Sequence, residues 1–181
     1  MTAEALPLFT QFTAPASVPV GLLTGLADCW TEVSDAGGAA GFPFPPVDPA
    51  AVAAAVDRIV TGLDPVRCRL LVATVDGALA GWLCLRRDPD PLVAHWGTLH
   101  HVQTRLGVRG RGIGAGLVRR AREIARDEMG LEQLRLAARG GSGLEAFYGR
   151  LGWREAGRWP RALRLSAEDH RDEVLMVLTP L

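Results

Sequence analysis

The chain contains no lysine: all twenty of its basic residues are arginine. That excludes a lysine Schiff base and the lysine of a Walker-A phosphate loop, both of which need a primary amine. A coding bias towards arginine explains the absence without a functional reason. Cysteine is scarce. Cys29, Cys68 and Cys84 are odd in number, far apart and free of any C-x-x-C spacing, so neither a metal site nor a disulfide framework is expected. Each reads as a buried small hydrophobe. Net charge is absent too, with 20 acidic residues balancing 20 basic ones, so nothing global points to nucleic acid or to an anionic membrane. No window approaches the ~20 consecutive apolar residues of a membrane span. The start, MTAEALPLFTQF, lacks a basic cluster and an unbroken apolar run, so no signal peptide is expected and a cytoplasmic location is the default.

What is present is a chain of 181 residues, 48% of them hydrophobic. That is enough for one domain with a real core. Residues 6–13 read as a first strand. Residues 18–33 carry Leu22, Leu23, Leu26 and Trp30 at helical spacing. Residues 37–49, GGAAGFPFPPVDP, are dense in breakers and read as a loop. Its Phe42 and Phe44 are candidates for a lid over a pocket, or simply for pins that hold the loop to the core. Asp48 and Pro49 suit an N-cap and first turn, which starts a helix over 50–63.

The period then changes. Strands are expected at 68–75 and 78–86 around an Asp76-Gly77 hairpin turn, and another at 92–104 after the turn at 88–91. A helix over 112–129 has Ile113, Leu117, Val118, Ala121, Ile124 and Ala125 on one face. Arg119, Arg120, Arg122, Glu123 and Arg126 form a solvated opposite face. A fifth strand at 133–138, a Gly/Ser joint at 140–143 and a short helix at 144–151 follow, the helix stopped by Gly152. Strands at 153–165 and 173–179 flank a loop at 166–172. This order implies an α/β or α+β fold with a mixed sheet.

The densest signal is Arg109-Gly110-Arg111-Gly112-Ile113-Gly114, where a strand turns into a helix. Glycine takes positive φ and lets a ligand reach the backbone. The first turn of a helix offers free N–H groups and the positive end of a dipole, a seat for a pyrophosphate. Gly110-x-Gly112-x-x-Ala115 also fits a dinucleotide fingerprint, but that pattern belongs to an early strand–turn–helix unit and not behind an antiparallel meander.

Arg109-x-x-Gly112-x-Gly114, with Val102-Gln103-Thr104 five to seven residues upstream, resembles the acetyl-CoA motif of the GNAT N-acetyltransferase superfamily. Phe147-Tyr148-Gly149-Arg150-Leu151-Gly152-Trp153 is similar to that family's F-Y-x-x-x-G-F, with Trp in the last place. The resemblance covers residues 68–181. Residues 1–66 fit only as the family's variable acceptor-binding half of a single domain.

The resemblance implies a mostly antiparallel mixed sheet of six to seven strands with about four helices, splayed between the fourth and fifth strands. Acetyl-CoA would lie in the splay. Val102, Gln103 and Thr104 would line its pantetheine arm, with backbone bonds from Val102 and Thr104. Arg109, Gly110, Arg111, Gly112, Ile113, Gly114 and Ala115 would hold its pyrophosphate.

An acceptor amine would attack directly. Tyr148, the only tyrosine, matches the thiolate-protonating residue. Where many members have a basic glutamate this chain has Thr98, so His100, two residues on and on the same strand face, is the candidate base with a pKa near neutrality. His101 points to the other face unless a bulge intervenes. Trp30, Phe42, Phe44 and Thr98 are candidate acceptor contacts. An Asn often found after the fifth strand is replaced by Arg139-Gly140. The resemblance implies an acetyltransferase acting on a primary amine, of a small molecule or alternatively of a protein, or else a non-catalytic acyl-CoA-binding domain. It also brings a homodimer as an expectation.

Overall fold

Strand 68–75 is apolar at nearly every position, which a strand exposed on one side does not need. In the computed structural model, which describes residues 6–37, 41, 42 and 45–181, this strand (β2, Cys68–Val75) is buried on both faces. Cys68, Leu70 and Val72 enter one core, and Leu71, Ala73 and Val75 enter another on the opposite side. Every other strand is arranged about that two-sided sheet.

The elements run β1 (Leu8–Phe12), α1 (Val20–Asp35), α2 (Pro49–Thr61), β2, β3 (Ala78–Arg87), β4 (Trp96–Thr104), α3 (Ile113–Glu123), β5 (Gln133–Arg139), α4 (Leu144–Gly149), β6 (Arg154–Arg164) and β7 (His170–Leu178). The sheet order is β1-β2-β3-β4-β5-β7-β6, antiparallel except for β4 beside β5. Helices α1 and α2 supply the core around Trp82 and Trp30, while α3 and α4 supply the core around Leu117 and Leu134. The expected fold class is the one observed, with seven strands and four α-helices among the described residues. It is not the doubly wound parallel sheet that a dinucleotide fingerprint requires.

Local chemistry explains most boundaries. The Asp48 carboxylate accepts from the Ala50 N–H at 3.0 Å and Pro49 opens α2, as the sequence implies. Asp35 accepts from the Val47 N–H at 2.8 Å, tying the far end of the 37–49 loop back to α1. Helix α3 ends in a π-helical turn at Ile124–Glu128. Of the arginines expected on its solvated face, Arg119 and Arg126 are exposed. Arg120 pairs with Glu123 at 2.9 Å and Arg126 with Asp127 at 2.7 Å, but Arg122 is half-buried and donates from Nη2 to the Pro180 carbonyl at 3.3 Å. All three cysteines are buried.

Two expected boundaries differ. Residues 92–95 are turn and not strand, because Val93 N–H donates to Asp90 and Trp96 N–H to Val93, which closes consecutive turns before β4. Strand β7 begins at His170, three residues early, since Arg164 and His170 pair across a shorter hairpin. No helix among the described residues is long and apolar enough to cross a membrane.

Candidate active site

Strands β4 and β5 pair at three positions only, Trp96–Thr98 with Gln133–Arg135. Past Thr98 they diverge, so the β5-facing backbone edge of residues 99–104 has no strand partner. Donors and acceptors on an unpaired edge at the heart of a sheet need a partner from elsewhere.

At the end of that edge a tight 3-10 turn (Leu106–Val108) leads to Arg109, Gly110, Arg111 and Gly112. Gly110 and Gly112 hold φ of 79° and 77°. A Cβ added at either would meet nothing within 4 Å, so the space in front of both backbones is open. Gly112 is the N-cap of α3 and provides no side-chain cap. The first helical bond is Gly116 N–H to Gly112 C=O at 2.8 Å, which leaves the N–H groups of Ile113, Gly114 and Ala115 without intrahelical acceptors. Gly114 is small for a different reason. A Cβ there would stand 3.2 Å from Thr104 Oγ1, at the join of β4 and α3. A diphosphate fits this cradle by charge, by donor supply and by clearance.

The cradle is anchored to the other half of the chain by a contact with no sequence signature. Glu32 of α1 accepts from Arg105 Nη1 at 2.8 Å and from the Leu106 N–H at 2.7 Å. One carboxylate thus fixes both the side chain and the backbone that open the turn.

The expected strand residues divide between the two faces of β4. Val102 packs towards the α3 core, and Thr104 Oγ1 faces Gly114. Gln103 turns the other way: its side chain is 2% exposed beside Trp82, and neither amide atom has a partner among the described residues. Only its backbone can serve the splay. Thr98 is held too, its hydroxyl accepting from Arg135 Nε at 3.0 Å.

The histidines depart from strict alternation. Leu83 of β3 faces two residues of β4, because the register shifts between Trp82 and Cys84 and His101 takes φ of 55°. This bulge brings His101 to the α1 side, where its ring lies 4.5 Å from Trp30 and 5.7 Å from Trp82. His100, opposite Cys84, is on that side as well, and the two imidazoles are 5.9 Å apart. Burial is the main force on both, and nearby positive charge adds to it: each is pulled down to about 4, below the near-neutral value expected of His100. Both are therefore neutral at physiological pH.

Tyr148 is 5% exposed, its ring 4.9 Å from Phe147 and 5.7 Å from Trp153. Burial pushes its phenol well above the ordinary value, so it stays protonated. Of the expected acceptor contacts, Trp30 is buried and Phe42 packs edge-on against it at 5.0 Å. Phe44 lies outside the described residues. Among the described residues no group of three or more metal-ligating side chains occurs.

The sequence profile described as the acetyltransferase (GNAT) family matches residues 40–153. No curated protein sequence matches the chain. Solved structures do, over nearly the whole fold. A GCN5-related N-acetyltransferase from Kribbella flavida is 20% identical over 96% of this chain and 98% of its own, with a TM-score of 0.74. A ribosomal-protein-alanine N-acetyltransferase from Brucella melitensis is 20% identical over 95% and 99%, with a TM-score of 0.72. A nourseothricin acetyltransferase is 25% identical over a shorter stretch, 65% of this chain and 68% of its own, with a TM-score of 0.56. With the profile spanning both the glycine turn and the Phe147-Tyr148 segment, this chain belongs to the GNAT acetyltransferase family and is an acyltransferase.

Proposed function

We propose that this protein transfers an acetyl group from acetyl-CoA to the primary amine of a small molecule, within a ternary complex. The observation that carries this reading is the splay of β4 from β5, which ends at the open N-terminus of α3. When bound, acetyl-CoA supplies an activated carbonyl and a thiolate leaving group. Backbone groups of Val102 and Thr104 hold the pantetheine arm, and the backbone from Arg109 to Ala115 holds the pyrophosphate. The half before β2 shapes the acceptor side.

Two proton tasks fall to side chains. His100 takes the proton from the acceptor ammonium, directly or through a water, and its neutral state leaves it ready to accept. An imidazole held near 4 is a weak base, so the proton passes on to solvent and is not stored. Tyr148 donates to the departing thiolate. Its phenol is a weak acid when buried, but the same desolvation raises the basicity of a thiolate leaving beside it.

Tyr148→Phe tests the acid role. A thiol-release assay over an amine panel should show kcat at least 10-fold lower, with CoA binding by calorimetry unchanged. Equal turnover in the variant rules out the role of Tyr148. If no amine turns over while CoA binds, the protein is an acyl-CoA-binding domain instead.

A second reading, acetylation of a protein N-terminus, is favoured by the name of the Brucella melitensis relative. Assay of alanine-initiated peptides beside small amines separates the two, the better kcat/KM identifying the acceptor class.

A further inference from the structure

Cys68 opens β2 and Cys84 lies in β3, and both side chains enter the core on the α1 side. The register sets Cys68 opposite Arg86 and Cys84 opposite Leu70, so the two cysteines are diagonal neighbours on one face of the sheet. Their sulfurs stand 3.5 Å apart. We propose that Cys68 and Cys84 form a dithiol modification site, which hydrogen peroxide converts reversibly to a disulfide, and that the conversion is felt at His100.

Three observations support the assignment. The first is proximity. The sulfurs are within hydrogen-bond reach of each other, so oxidation at one finds a resolving thiol already in contact. The second is charge. The exposed Arg86 guanidinium acts on both thiols. A hydrogen bond from Cys84 is the main force lowering the Cys68 thiol to about 7, and Arg86 adds to it against the effect of burial. Cys84 is raised, chiefly by the same hydrogen bond and then by burial. The thiolate is the nucleophile, so Cys68 reacts first and Cys84 resolves. Cys68 is 5% exposed at the margin of the core, within reach of an oxidant little larger than water.

The third observation is position. Cys84 is the register partner of His100 on β4. A disulfide holds its sulfurs at about 2.05 Å, so this pair must close by about 1.5 Å. Diagonal neighbours start wider apart than directly opposite ones. Closure therefore moves β3 against β2, and β3 is the strand that His100 pairs with.

The chemistry balances with peroxide alone. The Cys68 thiolate attacks one peroxide oxygen, the O–O bond breaks, and the sulfur is oxidised to a sulfenic acid. Hydroxide leaves and takes up the proton that Cys68 released. The Cys84 sulfur then attacks the sulfenic sulfur, the S–O bond breaks, and water departs with the Cys84 proton. Peroxide is reduced to two waters, and a dithiol reductant restores both thiols.

The test treats the purified protein with a small molar excess of hydrogen peroxide. It reads intact mass, free thiols and the His100 ring-proton NMR resonance, assigned by its loss in His100→Gln. Two of the three thiols should disappear, the mass should fall by two hydrogens, and peptide mapping should join Cys68 to Cys84. Cys29, pushed up to about 11 by burial, should remain a thiol. The His100 resonance should shift, and dithiothreitol should reverse every change. Cys84→Ala should stop at an oxygen adduct on Cys68, and Cys68→Ala should lose thiol at least about 10-fold more slowly than wild type. Near-UV circular dichroism checks the fold of both variants, and if either fails to fold, the wild-type mapping decides alone.

Persistence of all three thiols in the wild type, or oxidation that takes Cys29 or links two chains instead, would overturn the inference. So would Cys68→Ala reacting as fast as wild type, or a disulfide that leaves the His100 resonance in place. None of these readouts involves acetyl transfer, so the outcome stands apart from that of the proposed reaction.

Discussion

His100 and His101 differ from solvent histidines because burial withholds water from the imidazolium, and the arginines around them add repulsion. Unfolded imidazole takes a proton near 6.5, and these take one only near 4. Between those values the unfolded chain binds the extra protons, so stability falls as pH drops from about 6.5 to about 4. His100→Gln combined with His101→Phe, which keeps a ring on Trp30, should flatten this dependence. Urea midpoints at pH 4.5 and 7 check it, and an equal acid loss in the double variant would count against it. Catalysis follows the same logic. The kcat/KM profile should rise with the acceptor's own ammonium pKa and show no limb near 6.5. A limb near 6.5 that vanishes in His100→Gln would mean that this imidazole titrates at its ordinary value.

Among the elements, the end of β4 is held to a narrow position. A Cβ on Gly81 of β3 would stand 2.5 Å from the Gln103 carbonyl and 3.2 Å from a Leu117 methyl. Gly81→Ala must push β4 outward, at a cost of about 1–3 kcal/mol, and should weaken CoA binding because residues 102–104 move. Denaturant unfolding and CoA titration measure both effects; loss of stability with unchanged CoA affinity would show that the β4 edge does not contact the cofactor.

The element level is also where the sequence is most informative. The apolar run of β2, the Asp48-Pro49 start of α2 and the Arg/Gly turn before α3 each carry their cause within a few residues. The bulge at His101 does not, since positive φ at a histidine leaves no local mark and arises from a register mismatch with β3. The Glu32–Arg105 contact leaves no local mark either, because its partners are far apart in the chain and meet only when α1 packs beside the end of β4.

Across the molecule, two cores on opposite faces of the sheet meet the site from both sides. The α3 core carries Tyr148 and the helix start proposed to seat a pyrophosphate, and the α1 core carries the histidines. Glu32 links the two through Arg105 and Leu106, with both side chains of the ion pair about one-third exposed. Such a pair contributes little to global stability, of order 1 kcal/mol or less, yet it orders the turn before the cradle. Glu32→Gln should therefore weaken CoA binding several-fold with a small change in the unfolding midpoint. A large fall in stability with CoA affinity intact would make it a structural pair only.

The proposed reaction depends on a diphosphate at the head of α3, and calorimetric titration of CoA into wild-type and Gly112→Ala protein tests that most directly. At φ of 77° an alanine costs about 1–2 kcal/mol of stability, less than the stability of an ordinary domain, while its methyl group intrudes on the open face of the cradle. Wild-type protein should bind one CoA per chain, and the variant should bind it about 10-fold more weakly, the loss of roughly one charge-assisted hydrogen bond. Equal affinity in a folded variant, or no CoA binding by the wild type, would contradict a pyrophosphate seat at Gly112.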